Sequence, residues 1–100
     1  MIKRVVKMTF HPEKVETFLH DVFEASKSKI RAFPGCQSME LLRDTAAPNI
    51  LFTLSVWDSE DALNTYRGSE LFQSTWAKTK VLFADKAQAW SMELLDQQIS

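Results

Sequence analysis

From Ile2 to Phe10 the chain alternates. Ile2, Val6, Met8 and Phe10 point one way, with Arg4 the exception, and Lys3, Val5, Lys7 and Thr9 point the other. A period of two marks a half-buried strand. After Pro12 the period changes; a proline suits the first turn of a helix, where no N–H is needed. Val15, Phe18, Leu19, Val22, Ser26, Ile30 and Phe33 keep helical spacing, with Phe23 at the edge of the stripe. Glu13 and Glu16 near the start and Lys27, Lys29 and Arg31 near the end match the helix dipole. The spacing predicts a helix of about five turns. The Pro34-Gly35 pair stops it.

Alternation returns over Cys36 to Arg43, with Gln37, Met39 and Leu41 on one face. Asp44 to Asn49 (DTAAPN) has the composition of a turn. Ile50 to Trp57 is a second strand of a hairpin, with Ile50, Phe52, Leu54 and Val56 set against Leu51, Thr53, Ser55 and Trp57. Asp58 or Ser59 caps a short helix that ends at Gly68, and Ser69 caps the next. In that one Phe72, Thr75, Trp76, Thr79 and Phe83 share a face. A last alternating run, Ala87 to Leu95, groups Gln88, Trp90, Met92 and Leu94, and DQQIS reads as a frayed tail.

The order β-α-β-β-α-β is the ferredoxin-like pattern. It predicts an α+β fold in a single domain over 1–100, with a core of about 2–95: one antiparallel sheet with helices on one face. The other face would carry Val5, Leu42, Leu51, Thr53, Ser55, Trp57, Ala89 and Glu93. That face is too apolar to stand in water, so a homodimer through the sheets is expected, with Trp57 on the seam.

Composition narrows the function classes. A net charge of −1 offers no positive field for nucleic acid or anionic lipid. No uninterrupted apolar run suggests a membrane segment. One cysteine cannot form an intrachain disulfide, which suits a reducing cytoplasm, the expected location. His11 and His20 lack metal-ligand spacing, and Gly35 and Gly68 cannot build a phosphate loop, so no metal or cofactor is expected. Cys36 has no base or positive neighbour in sequence and reads as a small strand residue, not a nucleophile. The candidate chemistry lies downstream, where Trp57, Tyr66, Phe72 and Trp76 crowd into a short stretch. By spacing these rings read first as core, and second as the walls of a pocket for a flat organic ligand.

The motifs PGC…ELLRD (Pro34 to Asp44), LFTLSVWDSEDAL (Leu51 to Leu63) and GSELFQ (Gly68 to Gln73) resemble the antibiotic biosynthesis monooxygenase family over about Ile2 to Leu95. The resemblance implies a dimeric ferredoxin-like fold with a pocket between sheet and helices. Several members oxidise aromatic polyketides or quinols with O2 and neither metal nor flavin. It implies Tyr66 as the catalytic position, where relatives often carry a His, and Trp57, Phe72 and Trp76 as substrate-binding walls. Tyrosine is a poor base near neutral pH but can hydrogen-bond a phenolic oxygen. Haem-degrading relatives use a strand Asn and an axial His; Val6 and Trp76 stand at those places, which disfavours haem. The alternative is a non-catalytic dimeric module that binds a small aromatic or apolar ligand.

Overall fold

The computed structural model describes residues 1–98. Its elements are β1 (Ile2–Thr9), a long helix α1 (12–31), β2 (Cys36–Arg43), β3 (Ile50–Trp57), α2 (Glu60–Arg67), α3 (Glu70–Lys80) and β4 (Gln88–Glu93). The four strands lie in the order β2-β3-β1-β4, each antiparallel to its neighbour, which is the ferredoxin-like arrangement. No helix among the described residues is long and apolar enough to cross a membrane. Of the expected frayed tail, 96–98 belong to no helix or strand, and Ile99 and Ser100 lie outside the described residues.

The long helix is not uniform. It opens as a 3₁₀ turn at Pro12–Lys14 and widens to a π turn over Phe18–Phe23 before Glu24–Arg31 resumes the α form. The buried positions Phe18, Val22, Ser26 and Ile30 recur every fourth residue. On a helix of 3.6 residues per turn such a row drifts by about 40° per step. The wider π turn absorbs drift and keeps the row facing the sheet. Ser26 is tolerated there because its hydroxyl donates to the Val22 carbonyl at 2.7 Å.

Gly35 is where the end of α1, the end of β3 and the start of α2 meet. Its φ is +88°, and an added Cβ would lie 2.5 Å from the Ala62 Cβ. Its carbonyl accepts from the Asp58 N–H at 2.8 Å. Next to it Ser59, not Asp58, caps α2 by accepting from the Ala62 N–H at 3.1 Å.

The faces of β1 and β2 are as expected, with Met8, Phe10 and Met39 buried beneath the helices. Those of β3 and β4 are reversed. Val6 pairs with Thr53 on one side and Ala89 on the other, so Leu51, Thr53, Ser55, Trp57 and Ala89 face the helices. Ile50, Phe52, Leu54, Val56, Trp90 and Met92 share the open face with Val5 and Leu42. The expected seam position of Trp57 is therefore corrected: it is fully buried on the helix side. The rule that the more apolar face turns inward fails here because both faces of β3 are apolar, and the helix-facing one carries two short hydroxyl residues.

Gly35→Ala combines a left-handed backbone with a clash, and is expected to destabilise the fold by about 2–4 kcal/mol. Gly68→Ala, whose Cβ would meet nothing nearer than the Asn64 carbonyl oxygen at 3.5 Å, should change stability little. Urea unfolding checks both: a lower midpoint at constant slope for the first alone.

Candidate functional site

Along the helix-facing side of β3 the residues run large, small, small, large: Leu51, Thr53, Ser55, Trp57. Beside Thr53 stand Val6 and then Ala89, also short. The helices cannot settle onto these short side chains, because bulky rings hold them up at both ends. The result is a cavity of about 340 Å³ between sheet and helices. It reaches the surface beside the exposed Arg67 and Ala89.

One end of the cavity is built on Trp57. Tyr66 stacks on it with ring centroids 4.8 Å apart, and Phe33 meets both rings edge-on. The Trp57 indole N–H donates to the Ser55 hydroxyl at 3.0 Å, so its polar atom is satisfied inside the protein. Ser69 ties α2 to α3: its hydroxyl donates to the Tyr66 carbonyl at 2.6 Å and accepts from the Phe72 N–H at 3.1 Å. That link sets the angle between the short helices and brings Phe72 edge-on to Tyr66 at 5.3 Å. Trp76 lies one turn further along, stacked on Phe72 at 6.0 Å. At the far end Phe10, Phe18, Phe23 and Phe83 form the second knot of rings, and Trp76 reaches it through Phe83 at 5.5 Å.

All four residues singled out in the sequence, Trp57, Tyr66, Phe72 and Trp76, line this one cavity. They do so unequally. Trp57 has no exposed surface, so a ligand would meet Tyr66 before it. Burial, and secondarily the neighbouring Cys36, pushes the Tyr66 phenol up to about 12, so at neutral pH it is a hydrogen-bond donor and not a base. Cys36 itself is pushed up by burial, with a smaller contribution from Asp58, which is opposite to what a nucleophilic thiol needs. Its Sγ is 3.6 Å from the Ser38 carbonyl oxygen. His11 and His20 are exposed, and His20 sits 3.2 Å from Glu16 on the outside of α1. Val6 also lines the cavity.

Two charged residues of the wall escaped the sequence reading. Arg4 comes from β1 and Arg67 from the last position of α2. Arg4 did leave a trace, as the one charged residue among the apolar positions of β1. Arg67 left none, because a basic residue at a helix C-terminus is ordinary. Among the described residues no Asp, Glu or His lines the cavity.

A model of the antibiotic biosynthesis monooxygenase family matches residues 1–78, which leaves β4 beyond the match. No curated protein matches the sequence. Among solved structures, an antibiotic biosynthesis monooxygenase superimposes with a TM-score of 0.87 at 18% identity, covering 96% of this chain and 100% of the other. Rv0793 from Mycobacterium tuberculosis gives 0.85 at 21% identity and 96% of both chains. A conserved protein from Methanosarcina mazei Go1 gives 0.86 at 21%, covering 91% and 89%. At these identities the likeness speaks for the fold.

Tyr66 is the only tyrosine, so tyrosinate absorbance reports on it alone. The folded chain should titrate near 12, above the ordinary 10.0. Because folding favours the protonated form, the linked stability is fully present below pH 10.0 and is lost as the pH rises toward about 12. An alkaline titration followed with circular dichroism checks this; a midpoint near 10 while the far-UV signal stays native contradicts it.

Proposed function

The chain belongs to the antibiotic biosynthesis monooxygenase family, and on that premise we propose that it oxidises a small aromatic, quinol or polyketide-like substrate with molecular oxygen in the cavity. The observation that carries this reading is the cavity itself. At about 340 Å³ it falls in the range of small-molecule sites. Its walls suit a flat, electron-rich ring.

An activated methylene next to an aromatic ketone loses a proton to water at the mouth of the cavity to give an enolate. The enolate passes one electron to dioxygen, the two radicals join through a new C–O bond as a peroxide anion, that anion takes the proton back from water to become a hydroperoxide, and loss of water leaves a carbonyl. The sum turns one methylene and one dioxygen into one carbonyl and one water, with the substrate supplying all four electrons. In this reading Phe72 and Trp76, stacked on each other, form one apolar wall against which the ring lies and from which water is excluded. Tyr66, held neutral, donates a hydrogen bond to the substrate oxygen as negative charge gathers on it. Trp57 backs Tyr66 and fixes its ring.

A wall without Asp, Glu or His among the described residues favours a second reading, a binding module that performs no chemistry. Oxygen uptake with a panel of hydroquinones and anthrones separates the two. The first reading expects turnover that falls about tenfold or more in Tyr66→Phe, as for the loss of a hydrogen bond to a charged group. Uptake with none of the panel leaves the binding module.

The proposed assembly is a homodimer through the open face. Leu42, Trp90 and Met92 are each more than two-fifths exposed there. They surround Val5, Ile50, Phe52, Leu54 and Val56 in one apolar sheet surface, and Lys3, Lys7 and Glu40 on the same face supply both signs of charge. A two-fold axis brings such a surface onto itself. Leu54→Lys, at the middle of β3, should convert a dimer to a monomer in light scattering. A wild-type chain that is already monomeric at micromolar concentration would refute this assembly.

A further inference from the structure

The charge of the cavity wall has one sign. Arg4 is half-buried, and its Nη1 donates to the Ser91 hydroxyl at 2.9 Å. A guanidinium has five N–H donors, so most of its hydrogen-bonding capacity is left over. Arg67 faces the same space from the end of α2. The two cations are near enough to matter to each other: burial first, and then repulsion from Arg67, weakens Arg4's hold on its proton. Among the described residues the ion pairs are His20–Glu16 and Lys27–Glu24, both on α1, and neither involves these arginines. Glu93, one pair beyond Ser91 on the same face of β4, forms no ion pair with Arg4.

Holding two like charges at the mouth of an apolar cavity costs energy in both repulsion and lost hydration. An anion placed between them turns both terms favourable, and the planar guanidinium fork suits a paired-oxygen or aryl-oxide group. Three of the wall's hydroxyls are already engaged, while those of Thr53, Thr75 and Tyr66 make no hydrogen bond among the described residues. Ser26 and Thr79 donate to their own helices, and Ser55 accepts from Trp57.

The geometry points to a substrate that binds as an anion: a planar aromatic whose oxyanion, phenolate, enolate or aryl carboxylate, sits between Arg4 and Arg67 while its rings lie among Tyr66, Phe72 and Trp76. This rests on the cavity being the small-molecule site and deepens that reading. It also answers how a wall without a base could serve oxidation. Two fixed cations lower the pKa of a bound phenol or enol, so the electron-rich anion persists without a side chain to take its proton. Arg4 and Arg67 would select the ionised ligand and Tyr66 would orient its oxygen.

The test uses binding and spectra, not turnover. Quenching of tryptophan fluorescence gives affinities for 2-naphthoate, 2-naphthol and the neutral 2-naphthamide, and absorbance gives the ionisation midpoint of bound 2-naphthol. We expect the bound naphthol to ionise at least one unit below the free one, with 2-naphthoate bound about tenfold or more tighter than 2-naphthamide. Arg4→Gln and Arg67→Gln should each erase most of that preference and leave naphthamide binding within about twofold, while Arg4→Lys keeps part of it. Circular dichroism confirms that each variant is folded, and the exposed Arg67 gives a usable variant if Arg4→Gln does not fold. Tighter binding of naphthoate than of naphtholate assigns the natural group as a carboxylate, and the reverse assigns a phenolate or enolate. Equal affinity for charged and neutral probes, or equal losses for both in the variants, overturns the anion site while the pocket stands. Failure of every probe to bind overturns the pocket and the anion site together.

Discussion

Two knots of aromatic rings, set apart over a patch of short side chains, hold the helices off the sheet. Trp57 and Tyr66 anchor one end, Phe10, Phe18 and Phe83 the other, and Phe72 and Trp76 bridge them along α3. Between the knots the sheet offers Val6, Thr53, Ser55 and Ala89, too small to fill the gap. An empty apolar void of this size would be costly, since lost contacts scale with cavity volume. The opening beside Arg67 and the hydroxyls in the wall make it a cavity accessible from outside instead. Every aromatic residue except Phe52 and Trp90 belongs to this chain of ring contacts, and those two lie on the opposite face, on either side of β1. The rings thus do two separate jobs, one per face of the sheet.

That division explains which parts of the fold were legible in the sequence. The helical row ending at Pro34-Gly35 could be read because a single buried face and a left-handed stop leave strong marks. The same holds for the Ser59 and Ser69 caps, whose hydroxyls accept from the N–H three residues on. The faces of β3 and β4 could not be read from alternation, because alternation distinguishes faces only when one is wet. Ile50, Phe52, Leu54 and Val56 look like a core and face outward. Leu51, Thr53, Ser55 and Trp57 look like a compromise because they must both close the core at their ends and leave space in their middle. The π turn in α1 was also hidden, although the four-residue spacing of Phe18, Val22, Ser26 and Ile30 is its trace.

The candidate site was legible in part for a similar reason. Tyr66, Phe72 and Trp76 announce themselves by ring density, and a cavity between sheet and helices is where such rings converge. Arg67 becomes informative only when the fold brings the end of α2 over the end of β1. Arg4 could have been weighed more heavily, since a cation on the buried side of a strand is expensive unless something meets it. An isolated departure from an apolar row is worth more attention than the row itself.

Taken together, the electrostatics of the wall favour one direction of charge flow. A tyrosine held neutral to about pH 12 can give a hydrogen bond but cannot take a proton. Two arginines can stabilise an anion but cannot create one by abstraction. Such a wall has nothing to offer a substrate that is hard to ionise. It has much to offer one whose own acidity lies near the working pH, because each unit of pKa lowered by the cations multiplies the bound anion tenfold. Oxygen reduction by that anion is limited by how readily it gives up an electron, and charge stabilisation that is too strong would suppress it. Holding the oxyanion between Arg4 and Arg67, with the substrate's rings among Tyr66, Phe72 and Trp76, separates the group that is held from the carbon that reacts. The oxyanion can then be tethered at one end while electron density remains available at the other.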